Sequence, residues 1–193
     1  MDSNPATRRL LPPLVLAVLA LPACGEPPSP PAQAEPKAVE NAALGLAVRP
    51  LPPGFTVAEN VGERLAFDAV ADGIPGNAAI AVGPPASSGI NLVAEAKAWG
   101  EQAGAAPGGK FFGGNELVTP FGSAFTVRAL VDGGATEERR IYLLHPGGGD
   151  RLVTLSLRYP PSQPEAARDR LQQLMDLLAS LEPLAAPGPG PAS

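Results

Sequence analysis

The stretch Gly104 to Lys110, GAAPGGK, has the spacing G-x-x-x-x-G-K of a phosphate-binding loop. Phe111, however, stands where a Ser or Thr must reach Mg²⁺, and the segment follows a helical pattern instead of a strand. The glycines therefore read as the end of a helix. His145 is the only histidine, and Pro146 and three glycines follow it, which predicts a solvent-facing hairpin shoulder without the companions a metal site needs. Ser123, in FGSAF, lacks the Gly-x-Ser-x-Gly elbow of a hydrolytic serine. Glu137 and Glu138, with Asp132 nearby, are paired carboxylates. Acid–base work requires surroundings that separate their pKa values, and a glycine-rich turn predicts water around both. No calcium loop of regular Asp spacing is present, so no cofactor or metal is expected. The aromatics Trp99, Phe111, Phe112, Phe121 and Phe125 are the one remaining cluster. They read first as core, and second as an apolar pocket or docking patch beside GGKFFGGN, whose glycines would let that loop move.

Composition narrows the partners. The chain has 193 residues, 45% of them hydrophobic, and a formal charge of −5. A nucleic-acid partner would require a basic stripe, whereas Lys and Arg are scattered singly or in pairs such as Arg139-Arg140. One cysteine permits no internal disulfide, so stability must come from a packed core.

That cysteine has a different use. Arg8 and Arg9 precede LLPPLVLAVLALPAC, a positive start and a short apolar centre of the kind found in export signals. The apolar run is too short to span a bilayer, and Pro12, Pro13 and Pro22 would interrupt a helix. Leu21-Pro22-Ala23-Cys24 resembles the lipobox of bacterial lipoproteins, although Pro22 stands where a small residue is usual. The resemblance implies cleavage before Cys24, a lipid on its thiol, and acylation of the new amine. Such chains hold a protein firmly when two or three are present. Gly25, in place of the Asp that retains lipoproteins at the inner membrane, implies the outer membrane facing the periplasm in a Gram-negative host. Thr7-Arg8-Arg9-Leu10-Leu11 fits general export and approaches the twin-arginine pattern.

The expected organisation is a signal at 1–23, a Pro-rich tether at 24–43, one domain at 44–184 and a tail at 185–193. Polyproline II geometry would let the tether hold the domain about 40–50 Å from the membrane. Within the domain, GFTVAE, RLAFDAVA and NAAIAVGP alternate as strands. NLVAEAKAWGEQAG then changes to helical spacing, with Asn91 as cap and Gly104 as stop. Four strands follow, in NELVTP, SAFTVRALVD, RRIYLLHP and RLVTLSLRYP, the last three joined by the hairpin turns DGGATE and HPGGGD. In the closing helix, Ser162 and Glu165 have capping-box spacing, and Leu171, Leu174, Leu178 and Leu181 form an apolar stripe. The order predicts an α+β fold: an antiparallel sheet of about seven strands covered by helices.

The LPPGF opening of the first strand, the TPFG turn at Thr119–Gly122, the closing hairpins and the final helix resemble the PsbP-like superfamily. The resemblance spans about 140 residues and implies an α/β/α sandwich without catalytic machinery, used for docking or assembly. The combined expectation is a lipid-anchored envelope protein, held to the membrane through Cys24, that docks another macromolecule. The alternative is a carrier or sensor of a small apolar ligand.

Overall fold

A computed structural model of the chain describes residues 38–148, 150–161 and 164–185. The signal at 1–23, Cys24, most of the tether, Ser162 of the expected capping box and nearly all of the tail lie outside the described residues.

Seven strands form one antiparallel sheet: β3 Phe55–Val61, β4 Arg64–Ala71, β5 Ile74–Pro85, β6 Lys110–Thr119, β7 Gly122–Val131, β8 Thr136–Leu144 and β9 Arg151–Tyr159, in the order β3-β4-β5-β9-β8-β7-β6. Two meanders, β3-β4-β5 and β6-β7-β8-β9, are zipped together where β5 pairs with β9. Helix α1, Leu92–Ala105, carries the chain from the end of β5 to the far edge of the sheet. This is the expected α+β architecture.

Period-2 alternation sorts the side chains between two faces. On one face Leu65, Phe67, Ile80, Ile141, Leu155 and Leu157 are fully buried, and they pack with Leu174, Leu177 and Leu178 of α2, Pro164–Ala179. Each such aliphatic contributes about 1.5–3 kcal/mol by leaving water. On the other face α1 places Ala96, Leu92 and Trp99 against Phe111, Phe125, Val127 and Tyr142. Helices thus cover both faces, each over part of the sheet's width.

Three short strands form a second sheet that the sequence pattern did not predict. β1, Val39–Asn41, and β10, Leu181–Pro183, flank β2, Leu46–Val48. Two expectations change with it. Among the described residues the folded body includes β1, inside the stretch assigned to the tether, because Val39 and Asn41 are buried. Leu181 belongs to β10 and not to the helix, and the buried helical set is Leu174, Leu177 and Leu178.

Helix α1 starts as expected: the Asn91 side chain accepts a hydrogen bond from the Ala94 amide at 3.1 Å. Asn91→Ala is expected to lower stability by about 1 kcal/mol, measured by urea unfolding. The helix runs one residue past Gly104, to Ala105.

Candidate functional site

Gly108 and Gly109 link the end of α1 to the start of β6, so the chain passes from helix to strand, the reverse of a phosphate loop. The rest of GGKFFGGN differs from expectation. Lys110–Asn115 are residues of β6, paired to β7 with a bulge between Phe111 and Gly114, and not a mobile loop.

The five aromatics are divided among different environments. Trp99, Phe111 and Phe125 pack under α1, and Phe121 packs against the main core on the opposite side. Phe112 is 40% exposed at the bulge. Three separate depressions take one aromatic each: Phe125 with Ile90, Leu92 and Val93; Trp99 with Gln102 and Val131; and Phe112 with Asn115, Arg128 and Arg139.

His145 is half-buried. The amide of Gly147 donates to Nδ1 at 3.1 Å, which leaves the ring proton on Nε2 to donate to the Leu44 carbonyl at 2.8 Å. The ring therefore ties the β8–β9 hairpin to the turn before β2, in place of the expected solvent-facing shoulder.

Glu137 and Glu138 require the largest correction. The turn ends at Ala135 and β8 begins at Thr136, so both carboxylates lie inside a central strand, 1% and 5% exposed. They point to opposite faces. Glu137 receives Nε and Nη2 of Arg128 at 2.5 and 2.9 Å, and the Tyr159 hydroxyl donates to it at 2.5 Å. Glu138 receives Nε of Arg140 at 2.6 Å and lies 3.3 Å from Nε of Arg158, which also pairs with Asp132. Arg140 stacks on Trp99 at 4.2 Å, and the buried Arg170 stacks on Tyr159 at 5.1 Å.

The electrostatics follow this geometry. The hydrogen bond to Glu137 raises the Arg128 pKa further and keeps the guanidinium charged. Burial, then the hydrogen bond to the Glu137 carboxylate, pushes the Tyr159 phenol up to about 12. Burial likewise raises Tyr142. Each carboxylate is neutralised by arginine. Among the described residues no group of three or more His, Cys, Asp or Glu is placed to hold a metal.

The arginines Arg128, Arg140 and Arg158 were not singled out from sequence, yet a signal for part of the ladder was present. In EERR, Glu137 and Arg139 share one strand face and Glu138 and Arg140 the other. Charges repeated two apart in an apolar strand mark a buried pairing network.

Sheet order, crossover helix and closing helix together define a Mog1/PsbP-like α+β fold. The Ran-binding protein Mog1p of Saccharomyces cerevisiae is similar at 14% identity and a TM-score of 0.50, with 77% of this chain and 95% of that chain covered. The PsbP protein CyanoP of Synechocystis sp. PCC 6803 is similar at 8% identity and a TM-score of 0.51, covering 80% and 96%. At these identities the likeness is one of fold. No protein-family profile matches the chain, nor does any curated protein sequence.

Proposed function

We propose that the chain is a lipid-anchored protein of the bacterial envelope, in the outer membrane where there is one, and that its folded body docks another macromolecule without catalysing a reaction. The observation that carries this reading is the state of the candidate chemical groups. Glu137, Glu138 and His145 are each engaged in internal bonds that a catalytic cycle would have to break. The fold supports it, being shared with Mog1p, which is described as a Ran-binding protein. The sequence supports the anchor through Leu21-Pro22-Ala23-Cys24 and the Pro-rich segment after it.

The carrier reading has less support, because the aromatics line three depressions instead of one. Two measurements test the proposal. An alkyne-tagged palmitate is expected to label the wild-type chain and not Cys24→Ser, which should leave the membrane fraction. Labelling of both, or retention of Cys24→Ser on membranes, counts against the anchor. Crosslinking in intact cells is expected to give a saturable macromolecular adduct, whereas a co-purifying lipid with no such adduct would favour the carrier.

A further inference from the structure

Two Asp-Gly pairs stand at hairpin tips, Asp72-Gly73 between β4 and β5 and Asp132-Gly133 between β7 and β8. Both aspartates are exposed and both adopt φ +52°, with the following glycines at +75° and +70°. Asp-Gly suits such tips, because a short polar residue and then a glycine tolerate positive φ best. The same pair is chemically labile. A carboxyl one methylene from the backbone can cyclise onto the next amide nitrogen, and glycine there offers no side chain to block the approach.

The two tips differ in what holds the carboxylate. Asp132 accepts a hydrogen bond from Nη2 of Arg158, whose Nε lies 3.3 Å from Glu138. Among the described residues, the Asp72 carboxylate has no hydrogen bond and no ion pair. The tip around it is also open: nothing lies within 4 Å of where a Cβ on Gly73 would sit. The turn holds Asp72 in the left-handed region against the preference of an L-residue, so leaving that well is cheap for the tip alone.

We infer that Asp72 is a site of spontaneous conversion to isoaspartate, and that Arg158 protects Asp132 from the same fate. The Gly73 nitrogen attacks Cγ of the protonated Asp72 carboxyl. The N–Cγ bond forms, the amide proton and a carboxyl hydroxyl leave as water, and a five-membered succinimide results. Water then adds at the original Asp72 carbonyl carbon, whose bond to the Gly73 nitrogen breaks. The chain now runs through Cγ and is one methylene longer, with the former main-chain carbonyl carbon as the free carboxylate. Water is the only co-reactant.

The added atom falls at a sensitive place. Only two residues connect the paired Ala71 and Ile74. The Val70 and Ala71 carbonyls accept hydrogen bonds, both at 3.3 Å, from Gln173 and the buried Arg170 of α2. Lengthening the tip therefore disturbs the hold of α2 on the end of β4.

The test incubates the full-length chain in mild detergent for weeks at mildly acidic pH. Isoaspartate is located by peptide mapping with electron-transfer fragmentation. It is expected to accumulate at Asp72 about fivefold faster than at Asp132, the factor that a surface ion pair supplies. Arg158→Ala should bring the two rates together, and Asp72→Glu, whose cyclisation needs a larger ring, should abolish the product at that position. The isoaspartyl fraction, separated by chromatography, should unfold at a lower temperature than its parent. Equal rates at the two tips of the wild type would overturn the protection by Arg158, as would an unchanged Asp132 rate in a folded Arg158→Ala chain. No isoaspartate at Asp72, after a time in which a free peptide of residues 67–77 has converted, would overturn the site itself. The same unfolding midpoint in both fractions would overturn the link to α2.

Discussion

Glu137→Ala is expected to destabilise the domain by about 3–5 kcal/mol, because it leaves a charged guanidinium and a phenol without their shared acceptor in a central strand. That is a large share of the 5–15 kcal/mol that holds an ordinary domain together. The contrast with Glu40 isolates burial as the cause. Glu40 pairs with Arg49 at 2.5 Å, but both side chains are about half-exposed, and Glu40→Ala should cost less than about 1 kcal/mol. Denaturant unfolding of both variants measures the difference. Equal small losses would mean that the buried pair does not hold the strand.

Burial, and after it the hydrogen bond to the same carboxylate, gives Tyr159 a pH dependence. The phenol titrates near 12 in the folded chain and near 10 when unfolded, so the folded state holds this proton more tightly. Its contribution is fully present below pH 10 and is lost as pH rises from 10 to 12. Two units correspond to about 2–3 kcal/mol over that interval. Tyr159→Phe should be less stable than wild type at pH 8, and the gap should narrow by pH 12. A constant gap across that range would exclude the linkage.

The main sheet and both helices were legible because long elements leave room for a period to show. RLAFDAVA alternates over a full strand, and Asn91 signals the start of α1 by side-chain chemistry alone. The second sheet was not legible. Val39–Asn41, Leu46–Val48 and Leu181–Pro183 have three residues each, too few to distinguish alternation from chance. Glu137 and Glu138 were misread for a related reason. DGGATEE looks like one continuous turn, but the backbone completes its reversal at Ala135, and the next residues enter the sheet. Phe112 was grouped with buried aromatics, and only the bulge beside it explains its exposure.

The glycines that imitate a phosphate loop lead to the second large effect. Gly109→Ala would place a methyl 2.0 Å from the Ala103 carbonyl oxygen and 2.9 Å from that of Ala106, both backbone atoms that cannot swing aside. Gly108 adopts φ +70° with the carbonyl of Gly133 2.4 Å from where its Cβ would sit. The helix end, the strand start and the β7–β8 turn therefore meet at a point where only backbone fits. Overpacking against yielding side chains costs about 1–3 kcal/mol. With backbone on the receiving side, Gly109→Ala should cost about 3 kcal/mol or more, the range reserved for a few named mechanisms. Gly89→Ala is the control, since no atom lies within 4 Å of the added methyl and the change should be near neutral. Thermal unfolding of the two variants separates the readings of GAAPGGK: if close packing selected these glycines, Gly109→Ala unfolds well below the wild type and ATP with Mg²⁺ raises no midpoint. A Gly109→Ala chain as stable as the wild type, or a wild type stabilised by the nucleotide, would return the motif to phosphate chemistry.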